Sequence, residues 1–324
     1  VGVKIIPLRV DAGVLLPGES ALQIAADVFL PDVAAYPTPA LAWVCLPGGG
    51  MTRRYFDLPI EENFSFARQM AARGFVVVLL DHLGVGESSR PADGYVLTAE
   101  VVTAANANAT AEILARLREG RLSPEVPALP QLQSIGIGHS MGAMMTTLQQ
   151  AHSTQHIGVA LLGFSTRGLP EYLPSSAKAI AHDLAAAREQ SPQLAKMMFG
   201  SAPYPVIKPT PRSGAIYGGK GADPRSAEAI KAVADALLPI LAFQSMLPGN
   251  VLPEAQQIKV PVFLGLGEKD MAGPPHEIPA SFSASMDVTL YVMPGAGHSH
   301  FLFPIRLELF ERLADWAQSR LKYS

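Results

Sequence analysis

Ser134-Ile135-Gly136-Ile137-Gly138-His139-Ser140-Met141-Gly142-Ala143-Met144-Met145 reads as a short apolar strand, a turn tightened by glycines, and a helix of small and apolar residues. Gly138-His139-Ser140-Met141-Gly142 fits G-x-S-x-G, in which the serine sits on a sharp, strained strand-to-helix turn. The spacing is steric: residues two before and two after the serine must be nearly bare to let the backbones pass. Ser140 Oγ is then exposed at a helix N-terminus, where orphan N–H groups favour developing negative charge. Five letters alone are a weak signal, since an ordinary Gly-rich turn produces them too. The surroundings decide.

The chain has 324 residues, of which 48% are hydrophobic and 16% charged, so a large buried core is expected and intrinsic disorder is not. A net charge of −3 gives no electrostatic case for nucleic acid or an anionic membrane and points to a neutral or apolar small-molecule partner. The single cysteine, Cys45, lies within the apolar run Leu41–Leu46, which excludes an intrachain disulfide and suggests a buried structural residue. No run approaches the roughly 18 apolar residues of a membrane span. Nothing at the visible N-terminus resembles a signal peptide. The cytoplasm is therefore the default expectation, although a leader removed before Val1 stays open. Oligomeric state is not legible.

Lys4–Val10 and Leu22–Leu30 read as extended segments, the second alternating like a half-exposed antiparallel strand. Leu41–Leu46, Phe75–Leu80, Leu132–Ile137, Ile157–Gly163, Val260–Gly265 and Val288–Val292 read as strands buried on both faces. Helices are expected over Glu62–Arg73, Ala99–Glu119 with Thr98 as N-cap, and Phe301–Lys322, besides the one after Ser140. Strands alternating with helices imply a largely parallel α/β sheet. The long gap from Phe164 to Val260 shows helical patterns near Ser175–Gln190 and Ser226–Met246, around a Pro/Gly-rich stretch at Ser201–Gly221. It reads as an inserted, mainly helical cap (165–257) over a core formed by 1–164 and 258–324.

In an open parallel sheet the ligand lies beyond the carboxyl ends of the strands. Just after the first, third, fifth and sixth of these buried strands come Pro47-Gly48-Gly49-Gly50, Ser140, Gly267-Glu268-Lys269-Asp270 and Gly295-Ala296-Gly297-His298 respectively. A serine, an acid and a histidine thus converge on one edge beside a glycine-rich turn. With these motifs the chain resembles the α/β-hydrolase superfamily over about residues 20–164 and 258–324. Asp81-His82-Leu83-Gly84-Val85-Gly86-Glu87-Ser88 is similar to that family's D-x-x-G-x-G-x-S loop. One departure is Pro47, where many members have histidine before the oxyanion glycines.

Serine needs a base within hydrogen-bond reach, and histidine titrates near neutral pH. His298 is assigned as that base. His300 is its rival, but it falls where the last helix begins and lacks the Gly-x-Gly approach. Asp270 orients His298, with Glu268 a close alternative and Asp287 a remote one. Asp81 is expected to tie down loop N–H groups. The resemblance places oxyanion donors at the N–H of Met141 and at Gly49 or Gly50. His139 is a candidate for supporting the site or touching substrate, whereas His152, His156 and His182 are expected at the surface or as satisfied core residues. The glycine run lacks the patterns of a nucleotide loop, and no histidine or carboxylate spacing suggests a metal, so no cofactor is expected.

Met197, Met198, Phe199, Tyr204, Phe243 and Met246 offer an apolar substrate pocket or the cap's own core. Arg53, Arg54 and Tyr55 could meet a polar substrate end or simply lie at the surface. The resemblance thus implies a cofactor-independent serine hydrolase acting, with water, on a small to medium, fairly apolar ester or lactone. Thioester, amide or carbon–carbon cleavage, acyl transfer, and a non-catalytic ligand-binding protein of the same fold stay open.

Overall fold

The computed structural model describes residues 2–32, 36–206 and 219–321. Its strands are Val3–Asp11 (β1), Gln23–Pro31 (β2), Leu41–Leu46 (β3), Val76–Leu80 (β4), Gln133–His139 (β5), Gly158–Leu162 (β6), Val262–Gly267 (β7) and Val288–Met293 (β8). They form one sheet in the order β1-β2-β4-β3-β5-β6-β7-β8. β2 is antiparallel to β1 and β4, and every other pair is parallel. The α/β sheet expected from the sequence is the one observed.

β3 is apolar without a break because both of its faces are covered. Leu41, Trp43 and Cys45 enter one hydrophobic layer, and Ala42, Val44 and Leu46 enter the other. From β3 the chain moves to β4 on one side and then crosses to β5 on the other. The loops after β3 and β5 therefore diverge and open a crevice at the carboxyl edge of the sheet.

Helices Phe66–Ala72 (α1), Ala99–Glu119 (α2), Met141–Ser153 (α3) and, at the C-terminus, Arg306–Arg320 accompany the sheet. Thr98 caps α2 by accepting from Val101 N–H, as expected, and Gly120 ends it with φ 70°. Two helix starts and the burial of two strands differ from expectation. α1 begins at Phe66, not Glu62, because the Ser65 hydroxyl takes the N-cap and accepts from Arg68 N–H. The last helix begins at Arg306, beyond Pro304, rather than at Phe301, and Lys322 lies outside the described residues. β2 is buried rather than half-exposed: Phe29 enters the layer containing α1, while Ile24, Ala26 and Val28 enter the layer containing α2. The half-exposed strands are the sheet edges β1 and β8, so Val288–Val292 is not buried on both faces.

Between β6 and β7 the described residues form Ser175–Ile180 (α4), Leu184–Glu189 (α5), Ser191–Phe199 (α6), Ser226–Val233 (α7), Pro239–Met246 (α8) and Leu252–Ala255 (α9). The helix expected over 175–190 is two short ones, the second capped by Asp183. The one expected over 226–246 breaks where Ala234 pairs with Met51 and restarts at Pro239, a residue suited to a first helical turn. Most of the Pro/Gly-rich stretch, 207–218, lies outside the described residues. Among those described, no helix is long and apolar enough to cross a membrane. Cys45 is a buried free thiol. The C-terminal helix is α10 in chain order.

His156 is a core residue that locks the approach to β5. Its Nδ1 lies 2.9 Å from Ser134 Oγ, and Gln150 bonds both its N–H and its carbonyl. Burial pushes its pKa down to about 4. Because the folded value lies below the unfolded value of about 6.5, the unfolded chain takes the proton first as pH falls. Stability fully present above that unfolded value is lost on the way down to about 4. Between about pH 7 and pH 5 the wild type should therefore lose about 2 kcal/mol more than His156→Gln, measured by urea unfolding. Equal losses in the two proteins would contradict a buried neutral His156.

Candidate functional site

The turn between β5 and α3 holds Ser140 at φ 55°, ψ −121°, a conformation sparsely populated by residues with a side chain. The flanking glycines are there for space. A Cβ on Gly138 would collide with the Gly142 carbonyl, and one on Gly142 with the carbonyls of Leu46 and Pro47 at the end of β3. Ser140 N–H donates to Leu162 O at 2.8 Å, which fixes the turn to β6.

The loops after β7 and β8 bring the acid and the histidine to the same edge. Ser140 Oγ lies 2.9 Å from His298 Nε2, and His298 Nδ1 lies 2.8 Å from Asp270 Oδ1. An ionised carboxylate only accepts, so Nδ1–H donates to Asp270 and Nε2 is left as acceptor for the Ser140 hydroxyl. Burial acts to raise the Asp270 pKa, but the electrostatic interactions and hydrogen bonds with His298 and His300 outweigh it. The carboxyl is held well below the usual range. Chemically, a hydroxyl meets a base whose ring is oriented by a permanent anion.

His300, the rival base, does not reach Ser140. Its Nε2 lies 2.9 Å from Asp270 Oδ2, and Ala272 N–H donates to Oδ1 at 3.0 Å, so both carboxylate oxygens are held. Burial lowers the pKa of His300. Glu268 accepts from Gly295 N–H at 2.8 Å and Asp287 pairs with Arg320, so neither alternative acid bonds His298. His139 is buried and donates from Nε2 to the His298 carbonyl at 2.9 Å, with its ring 4.5 Å from that of Tyr55. Burial first, then the neighbouring His298 and His300, hold its pKa well below the ordinary value. It supports the histidine loop from beneath and does not border the cleft, contrary to the substrate-contact expectation.

Above Ser140 opens a cleft of about 230 Å³ whose walls include Gly49, Gly50, Met141, Tyr172, Met198, Phe199, Leu237 and Met246. Met246 and Phe199 lie where expected. Met197 faces solvent, and Phe243 is fully buried, so neither lines the cleft. Tyr204 hydrogen-bonds Pro91 O at 2.7 Å instead. Among the described residues the N–H groups of Gly49 and Gly50 make no hydrogen bond, and Met141 opens α3 with no side chain capping that turn. A larger groove of about 840 Å³ beside Lys4 and Glu125 contains none of these groups.

Sequence reasoning missed what holds the glycine loop. Arg53, read as a substrate contact or a surface residue, is buried and ion-paired with Asp27, Asp81 and Glu87. Tyr55 is likewise buried. Asp81 accepts from Glu87 N–H at 3.0 Å, as expected of a loop-tying acid, and also from Arg53 N–H at 2.7 Å.

A family model described as "Alpha/beta hydrolase family" matches residues 43–308. No curated protein sequence matches the chain. Among solved structures, a monoacylglycerol lipase from Paleococcus ferrophilus is 20% identical, with 92% of this chain and 99% of that one covered and a TM-score of 0.60. A thermophilic esterase from Thermogutta terrifontis is 16% identical, covering 97% and 99%, at 0.59. A proline iminopeptidase from Mycobacterium smegmatis is 19% identical, covering 92% and 95%, at 0.57. At such identities the likeness is one of fold.

The Arg53 cluster makes a direct prediction. Arg53→Met leaves Asp81 fully buried without its guanidinium, and should lower stability by about 3 kcal/mol in urea unfolding. A change below about 0.5 kcal/mol would mean that the cluster contributes no more than a surface pair.

Proposed function

The chain belongs to the alpha/beta hydrolase family, whose members are generally hydrolases, and from that premise we propose that it is a serine hydrolase cleaving a carboxylic ester or lactone. The observation that carries this reading is the continuous hydrogen-bonded line from Ser140 Oγ through His298 to Asp270 at the floor of an apolar cleft.

In this reading Ser140 Oγ attacks the substrate carbonyl while His298 Nε2 takes the hydroxyl proton. Asp270 holds the imidazole in its Nδ1–H tautomer and stabilises the imidazolium, without taking the proton itself. The tetrahedral oxyanion meets the N–H of Met141 and that of Gly49 or Gly50, donors worth roughly 3–4 kcal/mol each when aimed at the developing charge. His298 then protonates the leaving alcohol, and water activated by the same nitrogen releases the acid from Ser140. No step calls for a cofactor. Residues 165–257 act as the cap over a core of 1–164 and 258–324. Met198, Phe199 and Met246 supply adaptable apolar walls, which suit a small to medium, fairly apolar substrate.

A fluorophosphonate probe should label the wild type and leave Ser140→Ala unlabelled, and nitrophenyl esters of graded chain length should be hydrolysed with a preference set by the cleft. An unlabelled wild type would overturn the reading. His298→Ala should lose at least about 1,000-fold in kcat. His300→Ala should keep measurable turnover, because Asp270 retains its bonds from His298 and Ala272. The reverse order would reassign the base.

A further inference from the structure

The glycine run that borders Ser140 has little conformational preference of its own, yet its N–H groups must stay aimed at one point. Its middle is held by residues 233–235, through Asp235 N–H to Gly50 O at 2.8 Å and the pairing of Met51 with Ala234, while its two ends are held by two consecutive residues just beyond the neighbouring strand β4. At the head of the loop, His82 Nε2 lies 3.0 Å from the Pro47 carbonyl. A carbonyl only accepts, so this nitrogen carries the proton. Asn106 Nδ2 on α2 lies 2.9 Å from His82 Nδ1 and donates to it, which selects the same tautomer. At the tail, Asp81 Oδ1 accepts from Arg53 N–H at 2.7 Å, and its other oxygen takes the Arg53 guanidinium and Glu87 N–H. Asp81, His82 and Asn106 are all fully buried. Between the anchors the loop closes on itself through Met51 N–H to Gly48 O at 3.3 Å.

We propose that Asp81 and His82 form a clamp that holds residues 47–53 at both ends and so aims the Gly49 and Gly50 N–H groups at the oxyanion. The proposal rests on the hydrolase reading above. His82 does not border the cleft and bonds neither Ser140 nor His298. It is a positioning residue, acting through the Pro47 carbonyl. Burial lowers its pKa, so it stays neutral near pH 7 with its single N–H committed to Pro47.

The test uses the full chain and a nitrophenyl ester that the wild type turns over. His82→Leu removes the bond to Pro47, whereas His82→Gln keeps an N–H that can reach the same carbonyl. Because a displacement of about 1 Å in an active site can cost 100-fold, His82→Leu should lower kcat about 10- to 100-fold. KM should stay within about twofold, since ground-state contacts are untouched. Affinity for an alkyl boronic acid, which places an anionic oxygen in the same site, should weaken by the same factor as kcat. The pH profile of kcat/KM should not move, and His82→Gln should recover most of the rate. A folded His82→Leu with wild-type kcat, or one whose rate falls only in proportion to lost folded protein, overturns the clamp. Should His82→Leu not fold, His82→Phe keeps a buried ring without the N–H, and the same fall in kcat is expected; wild-type kcat there overturns the clamp. A wild type that is neither labelled by fluorophosphonate nor active on esters removes the hydrolase reading and the clamp with it. An active wild type with an equally active His82→Leu removes the clamp alone.

Discussion

Everything at the carboxyl edge of this sheet depends on a crossing where only backbone fits. The first turn of α3 passes so close to the end of β3 that Gly142 faces the carbonyls of Leu46 and Pro47 with no room for a methyl group. That approach lets Ser140 stand clear of the sheet at φ 55°, a conformation costing of order 1–3 kcal/mol that the surrounding structure must over-determine. It is over-determined here. β3 and β5 are neighbours in parallel register, Ser140 N–H is bonded to Leu162, and α3 is packed into the larger hydrophobic layer. The same crossing places Gly49 and Gly50 beside the serine, so hydroxyl and loop share one steric cause.

The second constraint is electrostatic. Asp270 is buried and would ordinarily pick up a proton there. It stays ionised because three donors, His298 Nδ1, His300 Nε2 and Ala272 N–H, surround it. His139 and His300 are held neutral largely by burial, so they contribute oriented N–H groups rather than charge. The proposed base is thus fixed by its hydrogen bond to Asp270 and by its own carbonyl, which accepts from His139. A ring held at both points needs little reorganisation to accept a proton.

Much of this was legible in the sequence, for physical reasons. A strand covered on both faces must be apolar at every position, which made Leu41–Leu46 and Phe75–Leu80 plain. An elbow needs bare residues two either side of its serine, which made Gly138 and Gly142 informative. What escaped were features set by contacts between distant segments. Arg53 gathers Asp27 from β2 and Asp81 and Glu87 from the loop after β4, and nothing near Arg53 in sequence announces that. His300 was distinguishable from His298 only by its loop position, while its bond to Asp270 needed the fold. Met197 and Met198 are adjacent, so composition could not say which faces the cleft. Pro239 and Pro304, by contrast, were signals under-used, since proline favours the start of a helix over its interior.

The central claim is that Ser140 becomes acylated. Wild-type protein mixed with excess nitrophenyl ester, quenched in acid within the first turnovers and analysed by intact-protein and peptide mass spectrometry, tests it directly. The account predicts a mass increase equal to one acyl group, carried by the peptide containing Gly138–Gly142 and localised to Ser140. Hydrolysis proceeding with no such adduct under conditions where deacylation limits the rate, or with the adduct on another residue, would contradict it.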